Sequence, residues 1–221
     1  MFNFSRIKHY QQVFYNKYYP PTVINRVLKR RRNKNFDFSI ICGNCMGGLI
    51  SHNLDVPFLS PTVNIMMSQS DFYKLALNLK EYLCSDFVEL SPKTFPRGKL
   101  KDITVNFTHF KNYNDAVQTW RRRCDRINFD NLWVIATDRD GITEQDIASL
   151  QGLECRGLVV FTAKKYAYPY CFQLKQFEDQ GQIGDILQQT IYGKRYFELY
   201  FDYVGWLNSD DKVVEHFRLR D

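Results

Sequence analysis

Residues 38–53 read FSIICGNCMGGLISHN, and the parsing of this stretch decides the fold. The apolar run 38–42 has the length and β-branched content of a buried strand, Gly43 supplies a tight turn, and residues 45–53 continue as a helix. A strand, a glycine turn and a helix in direct succession open an α/β layered fold, with helices packed on a mostly parallel sheet. The stretch also sets two thiols, Cys42 and Cys45, at the carboxyl end of the strand, the edge where such folds collect ligand sites.

Outward from this unit the same alternation continues. Short apolar or β-branched runs predict strands over 38–42, 63–66, 102–109, 132–137 and 158–162. Helical spacing predicts helices over 45–53, 69–84, 114–126, 143–150 and 185–206. Ser70-Asp71 marks the start of the second, and Thr143 with Asp146 three residues on gives another a capping-box start. A chain of 221 residues favours a single large domain, here residues 37–221, with residues 1–36 as an N-terminal arm. The 18 Phe, 14 Tyr and 3 Trp imply a bulky core or rings lining a groove.

Charge separates the arm from the domain. Residues 1–36 hold nine Lys or Arg and no acid, a net of +9 against +6 for the whole chain, so the remainder carries −3. Aromatic and basic residues around Pro20-Pro21 predict two short helices with a cationic surface suited to anionic lipid headgroups. Such a patch would also attract nucleic acid, but no nucleic-acid module follows it, and a plain solvated arm is the other reading. No run of about 18 apolar residues and no secretory apolar segment is found, so a cytoplasmic protein, peripheral at the inner membrane face, is expected. Six irregularly spaced cysteines argue for reduced thiols over a disulfide framework.

Four readings of CGNC compete. A dithiol at a helix start is a redox arrangement, but Ile41 stands where an aromatic residue is usual, and Cys42 falls at the strand end. Zinc would need a second CxxC or CxxH pair, and Cys124, Cys155 and Cys171 are isolated. As a nucleophile, Cys45 would sit in the first helical turn beside Gly43, Gly47 and Gly48, with Asn44 and helix N–H groups holding an oxyanion. Alternatively the glycines only allow close helix–sheet packing and both thiols are buried. A nucleophile needs a base: His52 lies about 10 Å along the helix from Cys45, too far, whereas His109 closes the strand over 102–109 at what would be the same sheet edge. Asp115 or Asp138 could orient its ring; the alternative is a half-buried polar residue at a strand end.

Two further constellations are candidates. Asp138 and Asp140, a D-x-D after an apolar strand, match the way many glycosyltransferases hold a divalent cation against a diphosphate, though DRDG is also a good turn. Trp120 with Arg122, Arg123 and Arg126 on one predicted helix could clamp a phosphate or acidic sugar; salt bridges with Asp125 and Asp130 are the plainer reading.

In order, the blocks SIICGNCMGGLISHN…SPT, FTHF, WRRRCDRINFDN and VVFTAKKY resemble a bacterial family of unknown function, often labelled exopolysaccharide biosynthesis proteins and tied to capsule or lipopolysaccharide clusters. The resemblance covers roughly residues 36–206. It implies surface-polysaccharide assembly, with O-acetyltransferase activity suggested for some members, and GNC followed by a distant His is similar to the start of papain-like cysteine hydrolases. Asn44, Cys45, His109, Trp120, Arg123, Arg126, Asn128, Asp130 and Asn131 fit its motif positions; Cys42 is not part of them.

The resulting expectation is a Cys-dependent acyltransferase or hydrolase acting on a bacterial polysaccharide or lipid-linked glycan. Cys45 is its nucleophile, His109 its base, Asn44 its oxyanion donor and Asp138 a further candidate catalytic group. Trp120, Arg122, Arg123, Arg126, Asp130 and Asn131 are its substrate contacts. No tightly bound cofactor is expected, and an acyl donor such as acetyl-CoA would be a substrate. A metal-dependent glycosyltransferase using Asp138 and Asp140, and a non-enzymatic capsule scaffold, are the alternatives.

Overall fold

Pro20 and Pro21 occupy the first turn of helix α1 (Pro20–Arg32), where a missing N–H leaves nothing unsatisfied and φ is already helical. The computed structural model describes residues 19–220; the helix expected ahead of the Pro-Pro pair falls within residues 1–18, outside them. Strand β1 (Ser39–Cys42) and helix α2 (Met46–Leu54) follow as the sequence predicts. Two helices, α3 (Gln69–Leu77) and α4 (Leu79–Leu83), replace the one expected over 69–84. Asn78 leaves helical geometry at φ −127°, and its side chain bonds the Lys74 carbonyl, the local competition that makes Asn a poor interior helix residue. The cap of α3 is Ser68, which accepts from the Asp71 amide at 3.2 Å, two residues ahead of the expected start.

Strands β2 (Phe87–Leu90), β3 (Arg97–Leu100) and β4 (Ile103–Asn106) form an antiparallel sheet of their own. Helix α5 (Tyr113–Cys124), β5 (Leu132–Thr137), helix α6 (Glu144–Ser149), β6 (Gly157–Thr162) and β7 (Cys171–Gln173) complete the layered body. The second sheet is fully parallel, in the order β1-β5-β6-β7. The long helix expected over 185–206 does not form. Turns lead to a 3-10 segment (Tyr196–Leu199) and a short helix α7 (Tyr203–Leu207), because Gly193 turns the chain at φ +67° and the rings of the stretch fold onto the sheet.

Both faces of the parallel sheet are covered, which is why its strands read as unbroken apolar runs. Ile40, Cys42, Trp133, Ile135, Val159 and Phe161 face a core completed by α2 and the C-terminal rings. Ile41, Val134, Ala136 and Val160 face another, completed by α3, β3, β4 and α5. Trp133 lies edge-on to Trp206 at 4.6 Å between ring centroids, and a Cβ on Gly157 would stand 2.3 Å from its ring. Gly157→Ala is therefore expected to destabilise the protein by about 1–3 kcal/mol or more through overpacking, read as a lower urea midpoint at constant m-value; an unchanged midpoint would refute this packing.

One connector joins the two sheets. The run 63–66, expected as a strand, is instead a turn that ends in a single bridge from Met66 to Asn106 at the end of β4. The next amide, Met67, donates to the Gly43 carbonyl at 3.0 Å in the loop after β1. The carboxyl ends of β1 and β4 are thereby clamped side by side.

Candidate functional site

This clamp decides what meets Cys45. His109 does not close a strand of the parallel sheet, as the sequence reading expected. It follows β4 of the antiparallel sheet, and the connector brings it across, so that Nε2 stands 3.6 Å from Cys45 Sγ. Thr108, just before it, bonds the Asn64 carbonyl at 3.3 Å, fixing the loop to the same connector. Cys45 is half-buried and His109 exposed, so the pair is reachable from solvent.

The turn that presents Cys45 is wired internally. Cys42 is 1% exposed; its thiol donates to the Asn44 carbonyl at 2.8 Å and its sulfur accepts from the Gly47 amide at 3.2 Å. Burial pushes the Cys42 thiol up to about 11, the opposite of the acidic thiol a redox CxxC needs. Cys42 packs and shapes the turn. Asn44 Oδ1 accepts from the Met46 amide at 2.9 Å, so the Met46 and Gly47 amides serve the turn, not an oxyanion. Among the described residues, Asn44 Nδ2 and the Cys45 amide have no acceptor, and these two are the remaining oxyanion donors. The glycines have a packing role as well: a Cβ on Gly43 would meet Gln69 and Phe72, and one on Gly47 would meet Ile40, within 3.0 Å.

Burial also raises the Cys45 thiol, while the Thr108 hydroxyl and the Arg195 charge pull it back. The resting group is therefore a thiol at neutral pH, not a standing thiolate. Removing Arg195, as in Arg195→Met, takes away a charge that favours the thiolate, so alkylation of Cys45 by iodoacetamide is expected to move to higher pH. An unmoved profile, followed by peptide mass spectrometry, would refute the influence of this charge.

The other candidates lie elsewhere. Asp138, at the end of β5, is 3% exposed and accepts from the Ala163 amide at 2.6 Å and the Ile183 amide at 2.7 Å. Asp140 accepts from the Gln69 amide at the start of α3. Asp115 bonds Asn112, so neither Asp115 nor Asp138 orients the His109 ring. Among the described residues, no three His, Cys, Asp or Glu side chains gather as a metal site.

Of the expected substrate contacts, Trp120 is 2% exposed and lies in the core against Phe87, which withdraws it from any ligand. Arg123 donates to the Val63 carbonyl at 2.7 Å and packs over Phe58, and Arg122 reaches Thr119 on its own helix. Arg126 and Asp130 are exposed. Asn131 is 5% exposed and bonds Asn35 and Asp37 at 2.7 Å, while its oxygen accepts from Trp133 Nε1 at 2.8 Å. Asn128 also bonds Asp37 and, through its amide, Ser39. The RINFDN block thus pins the starts of β1 and β5 together, at the sheet edge opposite Cys45. Thr108 and Arg195 are the residues the sequence reading missed: Thr108 could have been found beside His109 in FTHF, whereas Arg195 stands in no motif.

These features define an α/β protein with a cysteine–histidine pair at the carboxyl edge of its parallel sheet. The chain belongs to the family described as Domain of unknown function (DUF1919), whose model matches residues 16–208. It is also 40% identical over 189 residues to an "Uncharacterized protein" of Haemophilus influenzae (strain ATCC 51907 / DSM 11121 / KW20 / Rd), a match spanning 84% of this chain and 90% of that protein.

Proposed function

We propose that the protein is a cysteine-dependent acyltransferase or hydrolase of bacterial surface-polysaccharide biosynthesis, acting on a glycan or a lipid-linked glycan. The chemistry rests on one observation: Cys45 Sγ and His109 Nε2, 64 residues apart in sequence, stand 3.6 Å from each other. The polysaccharide context rests on the resemblance of the motif blocks to proteins labelled for exopolysaccharide biosynthesis.

In this reading His109 Nε2 takes the thiol proton as Cys45 Sγ attacks the carbonyl carbon of an acyl donor such as acetyl-CoA. The oxyanion faces Asn44 Nδ2 and the Cys45 amide. Collapse breaks the bond to the leaving group, which receives the proton from His109 and leaves a Cys45 thioester. A glycan hydroxyl, or water in the hydrolase case, then attacks the thioester while His109 takes its proton and returns it to sulfur. The test is incubation with acetyl-CoA or p-nitrophenyl acetate followed by peptide mass spectrometry: acetyl on Cys45, absent in Cys45→Ala, is the expected result, and an unmodified Cys45 under both donors counts against the mechanism. The glycosyltransferase alternative is not favoured, since the carboxylates of Asp138 and Asp140 hold backbone amides, and nucleic acid is not a proposed partner.

The proposed place of action is the cytoplasmic face of the inner membrane. Helix α1 turns Thr22, Asn25 and Lys29 toward the body and exposes Val23, Ile24, Val27 and Leu28. Ile191 and Tyr192 are also exposed, and the Tyr192 carbonyl accepts from Asn25 on α1. An outward apolar face followed by Arg30, Arg31 and Arg32 fits an anionic interface. Ile24→Asp with Leu28→Asp is expected to reduce flotation with phosphatidylglycerol vesicles, and undiminished flotation would remove this surface from the account. Among the described residues no helix is long and apolar enough to cross a membrane.

A further inference from the structure

We infer that the cleft between the loop after β6, strand β7 and residues 213–218 binds an acidic sugar ring of the glycan acceptor. Its part in acyl transfer rests on the proposed function; its binding of the sugar does not.

The cleft takes up a motif that the Cys45 site leaves unused. VVFTAKKY runs out of β6 through Lys165 and Tyr166 into one wall, Tyr168 follows, and Cys171, Gln173 and Arg218 close the other side. The loop leaves β6 at its carboxyl end, the sheet edge that also carries Cys45. Strand β7 lies three strands from β1, about 15 Å at the usual strand spacing, so a chain of sugars along this edge would reach both places. The volume, about 450 Å³, is that of a small-ligand pocket.

One wall is a ring platform set in advance. Tyr170 is buried and its hydroxyl donates to the Ile147 carbonyl at 3.1 Å, and Tyr168 stacks on it at 5.4 Å between centroids with the planes 13° apart. Tyr168 lines the cleft and Tyr170 does not, so the ring face turned away from the stack is the one a ligand meets. The C–H face of a pyranose is flat and apolar and pairs with such a ring, while its hydroxyls need donors and acceptors. Those stand opposite. Gln173 Nε2 donates to the Ala163 carbonyl at 3.1 Å, and its Oε1 has no donor among the described residues. Arg218 Nη2 donates to the Gln173 carbonyl at 2.8 Å and to Glu215 at 3.0 Å, with the guanidinium over the Phe172 ring. A carboxylate held in this way keeps lone pairs for sugar hydroxyls.

Charge selects an acid. Lys165, Lys175 and Arg218 line the cleft against one carboxylate, Glu215, which Arg218 holds. Lys165 is exposed and pairs with no acid among the described residues. An ammonium beside a ring platform suits a sugar that carries its own carboxylate. The pairing of ring and cation that the sequence places on α5, where Trp120 is interior, is met here.

The probe is methyl β-D-glucuronide, followed by saturation-transfer NMR on the full chain. Transfer is expected to be strongest to the ring C–H protons, and methyl β-D-glucoside, which lacks the carboxylate, should bind more weakly. Tyr168→Ala is expected to weaken the glucuronide about tenfold, the loss of one stacked ring, whereas Tyr168→Phe should bind as the parent does. Lys165→Met should bind the two sugars alike; loss of the preference with the glucoside still bound is a change that misfolding does not produce. Arg126→Ala should leave both sugars unaffected. No transfer from the glucuronide, equal binding of the two sugars by the parent, or an undiminished Tyr168→Ala overturns the inference.

UDP-glucuronate distinguishes the source of the sugar. Equal binding of UDP-glucuronate and methyl glucuronide supports an acceptor ring, and much tighter binding of the nucleotide sugar would assign the cleft to a donor and overturn the acceptor role. Cys45→Ala should bind the glucuronide as the parent does. Sugar binding with an inert thiol would retain the cleft and remove acyl transfer, and an acylated thiol without sugar binding would do the reverse.

Discussion

Cys45→Ala is expected to abolish the release of one equivalent of nitrophenol from p-nitrophenyl acetate, and His109→Ala to slow that burst about 10²–10⁴-fold, the range for a lost general base. The size follows from the state of the thiol. Because burial holds Cys45 above its ordinary pKa, the sulfur is protonated at neutral pH, and attack requires a base that removes the proton as the bond forms. At 3.6 Å, Nε2 is beyond ideal hydrogen-bond length, as catalytic pairs often are before substrate draws them together. The sign of the pH dependence also follows. As pH rises through the raised pKa of Cys45 the thiolate forms unaided, so the deficit of His109→Ala should shrink toward alkaline pH. A burst that survives in Cys45→Ala, or a His109→Ala deficit that is the same at every pH, would sink the assignment. Both side chains lie at the surface end of the site, so neither substitution is expected to shift the thermal unfolding midpoint appreciably.

Strands β1, β5 and β6 of the parallel sheet were legible because they announce themselves locally, whereas the three-residue β7, CFQ, was not expected. LWVIAT and the core of GLVVFT are apolar on both faces, and SIIC runs into glycines that a helix follows, so periodicity and turn chemistry suffice. The antiparallel sheet was mostly hidden: FVEL and RGKL are short, half-exposed and charged, and only β4 stood out. The rings of 196–206 were hidden for another reason, since a dense apolar stretch reads as a helix when it serves as a lid of irregular turns. At the site, Cys45 and His109 were visible as residue types, but their meeting depends on one bridge at Met66 and one amide bond from Met67, which are non-local and leave no pattern. The W-x-x-R…R-I-N-x-D-N block carries the opposite lesson. It is a strong motif whose Trp120 and Asn131 are interior, so its regularity reflects how β1 and β5 are tied.

Lys29→Met is expected to cost about 3–5 kcal/mol of stability, because it strands the carboxylate of Glu198 inside the protein. The side chains of Lys29 and Glu198 are 13% and 3% exposed and their charges stand 2.7 Å apart, while Asn53 and the Arg195 amide hold the carboxylate in place after the ammonium is gone. Burial lowers the pKa of Lys29 while Glu198 raises it, so desolvation of the ammonium offsets the attraction within the pair. It follows that the double variant Lys29→Met with Glu198→Leu should recover most of the loss, since replacing both partners by apolar groups removes the stranded charge. Urea unfolding at constant m-value reads both numbers. A single variant within about 1 kcal/mol of the parent, the range of exposed pairs, would mean that water reaches Glu198. A large single loss with recovery in the double variant would establish that the pair's use is positional: Lys29, Asn53 and the Arg195 amide converge on Glu198 and tie α1, α2 and residues 195–198 together.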